Sequence, residues 1–446
     1  MRSSNKHNPT DEQVQAIDHY LSGGSLKIEA GAGSGKTSTM VYCAEADPRR
    51  RVQYMAFNKA IVTEAGTKMP GNAVCSTAHS LAYQAMVTDS IIERMRNAKR
   101  MTSMDIANKL GIDGLRVKTW DGQSKLLSQR FLAGLAMRGV TRFCQSADDT
   151  PSWKHVPYVE GLDPPGTPAS RAMANKLVAK HLETAVRMAW KDLMNPEGGL
   201  RYTQDHYLKA WQLSDPRINA DVILFDEAQD ANPVMVAVVA AQDHAQIVWV
   251  GDSQQQIYAF TGAINALETM HADATTYLTQ SFRFGPEIAE VANVVLESLD
   301  AQLRIRGFDK IKSTVGAIDS PDAVLCRTNA TAVRTLLERM RVGKRVHLVG
   351  GGKQIVRFAK AAQELMDGKR TDHEELACFA SWGEVQEYVQ QDEQGGDLRL
   401  MVNLVDEFSV PVIVDAMEKA AKPEDADLIV STAHKSKGLE WGLVQL

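Results

Sequence analysis

Cysteine is scarce in this chain, and the cysteines present form no pattern. Cys43, Cys75, Cys144, Cys326 and Cys378 are five in 446 residues, far apart and odd in number. Their spacing excludes a zinc module and a disulfide scaffold, and reads as reduced thiols in a cytoplasmic-type compartment. Long apolar runs are missing as well: none reaches the ~20 residues that a membrane helix needs, so no membrane contact is expected. Met1-Arg2-Ser3-Ser4-Asn5-Lys6 leads into polar residues and not into a signal-type apolar core. Charge of one sign is scarce too. A net charge of −5 argues against a protein that coats itself in nucleic acid, and leaves a local basic groove open. Internal repeats and low-complexity tracts are absent. What remains is an ordinary globular composition on a chain too long for one core, so two to four domains are expected.

The most informative stretch is Ile28-Glu29-Ala30-Gly31-Ala32-Gly33-Ser34-Gly35-Lys36-Thr37. A strand from Leu26 runs into a glycine-rich turn and then into a helix beginning near Lys36. Backbone N–H groups in such a turn point at a bound anion, and the helix N-terminus adds the positive end of its dipole. Lys36 reaches the β- and γ-phosphates of a nucleoside triphosphate, and Thr37 places its hydroxyl on Mg²⁺. The usual pattern has Gly six positions before the Lys; Ala30 stands there and departs from it by one methyl group.

Around this loop the chain alternates strand and helix, the rhythm of a parallel sheet. Thr10 is placed to cap a helix carrying Val14, Ile17 and Leu21 on one face. Strands are expected at 51–57, 73–76, 221–225, 246–250 and 276–278, each delivering polar residues at its carboxyl end, where open α/β sheets bind ligands. Residues 85–205 break the rhythm and read as mostly helical. From Asp89 to Arg142 eleven Lys/Arg face five Asp/Glu, which fits either a solvated helical face or a surface that tracks a phosphate backbone. A second α/β unit has strands at 323–326 and 428–430. Between them, Glu384 to Asp427 holds twelve acidic residues against three basic ones, a poor surface for phosphates.

Phosphoryl transfer to water needs a metal, a positioned water and charge stabilisation. Asp226, at the end of an apolar strand, is the expected Mg²⁺-holding carboxylate, and Glu227 is placed to take a proton from the attacking water. Gln229 and Asp230 extend the same turn. Arg283 supplies a planar cation suited to a γ-phosphate, or else makes a surface salt bridge.

In order, the sequence shows Ala30 to Thr37, Ala56-Phe57-Asn58-Lys59-Ala60, Ser76-Thr77-Ala78-His79-Ser80, Phe225-Asp226-Glu227-Ala228-Gln229-Asp230, Val250 to Ala263, Gln280-Ser281-Phe282-Arg283-Phe284, and Ser431 to Trp441. This series resembles the UvrD/Rep branch of the superfamily 1 DNA helicases. Within that branch it is most similar to the helicase part of the F-box DNA helicase group, on Gln255-Gln256-Ile257-Tyr258, Leu278 to Ile288 and Tyr207 to Leu213. No F-box segment is visible.

The resemblance implies two RecA-like P-loop NTPase domains with parallel sheets, each with a mainly helical insertion. The first would comprise 1–84 and 206–285, with its insertion at 85–205. The second would comprise 286–349 and 426–446, with its insertion at 350–425. ATP would sit in the cleft between them, with Mg²⁺ as cofactor and single-stranded DNA and duplex junctions as partners. Travel from 3′ to 5′ and a role in repair, recombination or replication follow from the same likeness, as do a monomeric state and repair or replication proteins as partners.

Residue by residue, Gln13 would read the adenine and Phe282 would stack on it. Ala30, Gly31, Ala32, Gly33, Ser34, Gly35, Lys36, Thr37 and Ser38 would surround the phosphates. Gln255 would sense the γ-phosphate, Arg283 would act as an arginine finger, and Glu440 would contact the sugar. Asn58, Thr77, His79, Tyr258, Phe260, Thr432 and His434 would face single-stranded DNA, where aromatic stacking suits a motor that ignores sequence. Phe260 also reads as a core aromatic, and His79 and His434 as hydrogen-bonded turn histidines. Stacking does not distinguish DNA from RNA.

Two departures from the family pattern stand out. Thr261 occupies a position where the family usually carries Arg, and Gly442 replaces a common Asp. Relatives continue beyond the Lys437-Gly438-Leu439-Glu440-Trp441 stretch to a motif with a second arginine finger, whereas this sequence stops at Leu446. The expectation is a chain that binds ATP and DNA and hydrolyses slowly. The alternative is a regulatory helicase remnant that works through a partner. A helicase–nuclease is disfavoured because no nuclease-type carboxylate cluster is visible.

Overall fold

The computed structural model describes residues 8–446 apart from 57–58, 98–100, 160, 165, 169–170, 258–263, 372, 374–375, 377–378, 380 and 392–395. The chain divides into two compact units, one up to Val315 and one from Gly316.

The first unit is built on a parallel sheet. Its strands, labelled with all others in chain order, are β1 (Leu26–Ala30), β2 (Val52–Ala56), β3 (Ala73–Thr77), β6 (Val222–Phe225), β7 (Gln246–Gly251) and β8 (Ala274–Leu278). Two further strands, β4 (Leu115–Lys118) and β5 (Ser124–Leu127), pair separately as an antiparallel hairpin. The sheet order is β3-β2-β6-β7-β1-β8, with every pairing parallel. Burial follows that order. The inner strands β2 and β6 are buried at every position, whereas the edge strands β3 and β8 are only partly buried. A strand covered on both faces reads as a continuous apolar run, as Val222-Ile223-Leu224-Phe225 does.

Helices cover both faces. On one, the helices Asp11–Leu21 and Lys36–Ala46 pack Ala16, Tyr20, Met40 and Cys43 against Ile28, Tyr54, Leu224 and Val250. The opposite face carries the helical insertion. Leu132, Phe143, Leu182 and Val186, from the helices Gln129–Gln145 and Met173–Met194, share one core with Met55, Phe225 and Trp249. Phe225 and Trp249 meet edge to face at 5.4 Å, an arrangement that contributes about 1 kcal/mol beyond area burial.

Part of the basic excess in the insertion is structural. Arg94 is buried and donates to the carbonyls of Leu193, Asn195 and Leu200, while Lys109 pairs with Asp192 at 2.7 Å. Lys209 is likewise spent on the fold. Its ammonium donates to the Ser146 and Asp148 carbonyls and to Gln212, over the Phe143 ring, and burial pulls its pKa down to about 8.

The second unit holds a smaller parallel sheet of β9 (Ala323–Cys326), β10 (Val346–Leu348), β11 (Leu428–Thr432) and β12 (Val444–Gln445), in the order β10-β11-β9-β12. Its core joins Val333, Leu336, Phe358, Leu365, Val405 and Ile413 from the surrounding helices to Val346 and Val430. No described helix in the chain is long and apolar enough to cross a membrane.

Candidate functional site

The parallel strands of the first sheet bring their carboxyl ends to one edge. β1 ends in the phosphate loop there, β6 in Asp226-Glu227, β7 in Gly251-Asp252, and β8 in the run from Thr279 to Arg283. The loop is shaped by glycine. Gly33 (φ +73°) and Gly35 (φ +83°) lie in the left-handed region, which favours residues without a Cβ. Gly33 is also crowded: a Cβ there would lie 2.6 Å from Arg283 Cβ and 2.8 Å from Ser281 Oγ. The Gly33 carbonyl accepts from the Phe282 N–H at 2.9 Å, so loop and β8 segment are tied together. Gly31 packs under Ile305, which returns with Arg306 alongside Thr279 and Ser281.

The helix Lys36–Ala46 starts at Gly35 with no side-chain cap, and a helix N-terminus favours an anion. Ser34 Oγ is buried with no hydrogen-bond partner among the described residues. A buried hydroxyl without a partner is costly, and a phosphate oxygen supplies one. The loop therefore fits the phosphates that its sequence implies.

Opposite the loop lies a carboxylate cluster. Lys36 Nζ is 3.6 Å from Glu227 Oε1. Asp226 is buried, accepts from Tyr54 Oη at 2.6 Å and from the Glu227 N–H at 2.8 Å, and its own N–H donates to the Met55 carbonyl. Burial, then the charge of Glu227, pushes the Asp226 carboxyl up, against the pull of Lys36 and the Tyr54 bond. Such a group gains from a cation, and one carboxylate with a hydroxyl and phosphate oxygens is the protein-poor ligand set that Mg²⁺ accepts. Thr37 and Asp226 are the residues that would hold it. No cluster of three or more metal-type side chains occurs among the described residues.

Glu227 has φ 54° and ψ 42°, a left-handed conformation rare for a residue with a side chain and one that concentrates at functional sites. Gln229 fixes it. The Gln229 amide donates to Glu227 Oε2 at 2.6 Å and accepts the Asp252 N–H at 3.1 Å. Gly251 permits the approach, since a Cβ there would stand 2.1 Å from Gln229 Oε1. Gln255 donates to Asp252 Oδ2 at 2.5 Å, so a hydrogen-bonded chain runs from Gln255 through Asp252 and Gln229 to Glu227. Burial raises the Asp252 carboxyl and also that of Glu29, which accepts from the Ser253 N–H and hydroxyl.

Gln13 and Phe282 meet at Gly35: a Cβ on Gly35 would lie 3.2 Å from Gln13 Nε2 and 3.9 Å from the Phe282 ring. Phe282 is 41% exposed, and its ring meets that of Phe308 in an edge-type contact at 5.5 Å.

The remaining sequence-selected residues separate. Thr77, the last residue of β3, caps the helix Ala78–Met86 by accepting the Ser80 N–H. His79 follows, edge to face with Tyr207 at 5.9 Å. Its Nδ1 is buried without a partner among the described residues, and burial lowers its pKa against the pull of Asp205. Thr432, buried at the end of β11, exposed His434 and exposed Glu440 belong to the second unit. Asn58, Tyr258 and Phe260, with Thr261, lie outside the described residues. Sequence reasoning missed Tyr54, Asp252 as an acceptor, Thr39 behind Gln13, and the return of Ile305 and Arg306.

Known proteins share this arrangement of sequence. The family described as AAA domain matches residues 13–261, from the Gln13 amide past the carboxylate turn and Gln255. Over 98% of its length the chain is 30% identical to F-box DNA helicase protein 1 of Schizosaccharomyces pombe, covering 52% of that protein. It is 29% identical, again over 98% of its length, to F-box DNA helicase 1 of Gallus gallus, covering 44% of it. The chain thus spans about half the length of these relatives. With its phosphate loop, its strand-end carboxylates and a match over more than half its length, this chain belongs to the AAA domain family.

Proposed function

We propose that this chain is an ATP-driven DNA motor, a helicase that moves 3′ to 5′ along single-stranded DNA and opens duplex at junctions during repair, recombination or replication. The observation that carries the reading is Lys36 set 3.6 Å from a Glu227 that Gln229 ties to Asp252 and Gln255. This is a base beside a phosphate cation, wired to a residue that can report the state of the nucleotide. The relatives' name, DNA helicase, supplies the substrate class.

In this reading the phosphate loop and Lys36 bind the triphosphate, and Gln13 and Phe282 hold its base. Glu227 takes the proton of the attacking water, while Lys36 and Arg283 stabilise the charge that develops on the phosphoryl oxygens. Thr37 and Asp226 would hold Mg²⁺, which would supply charge neutralisation at the phosphates. Loss of the γ-phosphate changes what Gln255 faces, and the chain through Asp252 carries that change into the sheet edge. Thr77 and His79 in the first unit, and Thr432 and His434 in the second, are the proposed contacts to the strand, with Asn58, Tyr258 and Phe260. Glu440 is the proposed contact to the nucleotide sugar.

The test is ATP hydrolysis by the full chain with and without single-stranded DNA. DNA is expected to stimulate turnover, and Glu227→Gln to lower kcat by ~10²–10⁴-fold, the usual contribution of a positioned base. An ATPase that ignores DNA would sink the motor reading.

A further inference from the structure

We propose that the outer face of the β4–β5 hairpin is a second binding surface for single-stranded DNA, where Trp120 stacks on a base and Arg116 and Lys118 take neighbouring phosphates. The inference rests on the DNA-motor reading above for the class of partner, and it uses none of the residues named there.

The ladder sets which residues share a face. Arg116 pairs with Leu126 and Lys118 with Ser124, while Val117 pairs with Lys125 and Leu115 with Leu127. Val117 and Leu127 are buried in the core that the insertion shares with the sheet, so theirs is the inner face. Alternation then turns Arg116, Lys118, Ser124 and Leu126 outward. Arg116 Nη1 lies 3.5 Å from Ser124 Oγ, across that outer face. Arg116, Lys118 and Leu126 are all exposed.

Trp120 follows Lys118 in the same alternation and stands at the tip, 57% exposed. Backbone hydrogen bonds fix this tip. The Thr119 N–H donates to the Gln123 carbonyl at 2.9 Å, and the Gly122 N–H returns to the Thr119 carbonyl at 3.0 Å. Gly122 takes the left-handed conformation (φ +81°) that closes a three-residue turn. The Trp120 N–H is anchored on the Leu162 carbonyl at 3.1 Å. Asp121, the acidic residue of the turn, accepts from Thr119 Oγ1 and from the Gln123 N–H. The ordering cost of the tip is therefore met before any partner arrives. Among the described residues the indole makes no ring contact.

The charge of the face suits a polyanion. Of the basic residues in the insertion, Arg94 and Lys109 are consumed by buried carbonyls and by Asp192. Arg116 and Lys118 make no ion pair among the described residues, and neither do Lys125 and Arg130, exposed on and just after β5. Residues two apart on one strand stand ~6.6 Å from each other, about the step between successive phosphates of a nucleic-acid strand. The indole narrows the choice. Stacking needs a base whose face is free, which a single strand offers and an intact duplex hides.

The experiment measures Kd of the full chain for fluorescein-labelled oligo-dT by anisotropy, without nucleotide and across a KCl series, and for a relaxed circular duplex by competition. Wild type is compared with Trp120→Ala, Trp120→Phe and the double variant Arg116→Gln/Lys118→Gln. Trp120→Ala is expected to weaken oligo-dT binding by ~10-fold, the worth of one base–aromatic stack, with the salt slope unchanged. Trp120→Phe keeps most of the affinity. The double variant is expected to lower the slope of log Kd against log [KCl] by ~1.4, two phosphates at ~0.7 each for a single strand. Duplex binding does not respond to Trp120→Ala. All three side chains are exposed, so the unfolding midpoints should stay at the wild-type value.

The proposal is overturned if wild type does not bind oligo-dT, if the variants bind it as wild type does, or if the double variant keeps the wild-type salt slope. It is also overturned if Trp120→Phe loses as much as Trp120→Ala, or if Trp120→Ala weakens duplex and single-strand binding alike. Turnover separates this proposal from the reading it rests on. If the variants lose affinity as stated while wild-type hydrolysis ignores DNA, the motor reading falls and the hairpin surface stands. If DNA stimulates hydrolysis and the variants bind as wild type does, the hairpin surface falls and the motor reading stands.

Discussion

The phenol of Tyr54 donates to Asp226 Oδ2 at 2.6 Å, from the middle of β2 to the end of its neighbour β6. Both side chains are buried, and the same two strands are joined there by the Asp226 N–H on the Met55 carbonyl. Asp226 is thus held from side chain and backbone at once, so its remaining oxygen faces a defined direction. Burial and Asp226 together push the Tyr54 phenol far above its usual range, so it stays a donor throughout the working pH range. Tyr54→Phe is expected to cost about 1–2 kcal/mol of stability, by leaving a buried carboxylate oxygen short of a donor. It should also raise the Mg²⁺ concentration for half-maximal ATP hydrolysis by ~10-fold, the lower range for losing an outer partner of a metal ligand. A Mg²⁺ titration of wild type and variant checks both size and sign; an unchanged midpoint would remove Asp226 from the metal.

Gln229 spans Glu227 and the Asp252 backbone with the two ends of one amide. Replacing it by Ala frees Glu227 to leave its left-handed turn and breaks the link to Gln255. The expected result is a kcat lowered by ~10²-fold with KM for ATP nearly unchanged, since in the proposed mechanism Glu227 acts on the reacting water and not on binding. Steady-state kinetics separates the two constants. A rise in KM alone would assign Gln229 to nucleotide binding instead.

Gly33→Ala tests the loop itself. A Cβ at φ +73° is strained, and this one would also meet Arg283 Cβ at 2.6 Å. The strain costs about 1–3 kcal/mol, and the loop can relieve the collision only by moving away from the segment that carries Phe282 and Arg283. ATP affinity is expected to fall by at least ~10-fold, measured by mant-ATP titration. Ala at Gly161, which has positive φ with open space around it, serves as the control for strain without collision.

How much of this was legible in the sequence differed by element. The apolar strands ending in charged or polar residues were plain, because burial on both faces forces an unbroken apolar run, and β6, β7 and β9 each show one. Short strands with mixed residues were not. The hairpin β4-β5 and the edge strands β10 and β12 escaped notice, since Leu115-Arg116-Val117-Lys118 reads equally well as part of a helix. Thr10 declared its helix, because a capping box is a local pattern. Lys36, Asp226 and Glu227 were visible because each sits next to a recognisable turn. Tyr54, Thr39 and Ile305 were invisible because their contacts, to Asp226, Gln13 and Gly31, are made across the fold between segments with no shared local pattern. Arg94 and Lys109 show the same limit from the other side: a count of basic residues cannot reveal which are consumed by buried carbonyls and by Asp192.

His206 gives the first unit a pH dependence of stability. It is buried, its Nδ1 accepts the Thr203 backbone N–H at 2.9 Å, and its ring packs edge to face on Tyr202. A ring nitrogen that accepts a backbone N–H cannot carry a proton, so the fold requires this tautomer to stay neutral. Burial, reinforced by the Arg94 charge, pulls the His206 pKa down to about 4 from an ordinary 6.5. The unfolded chain therefore takes up a proton first as pH falls. Stability from this group is fully present above pH ~6.5 and is lost progressively towards pH ~4, a total of about 3 kcal/mol. His206→Asn, whose side-chain oxygen can still accept the Thr203 N–H, has no proton to take up and should flatten the slope in that window. Denaturant unfolding from pH 7.5 to 4.5, followed through the signal of the buried Trp249, reads the difference. If wild type and His206→Asn lose stability in parallel, the acid sensitivity of this unit lies elsewhere.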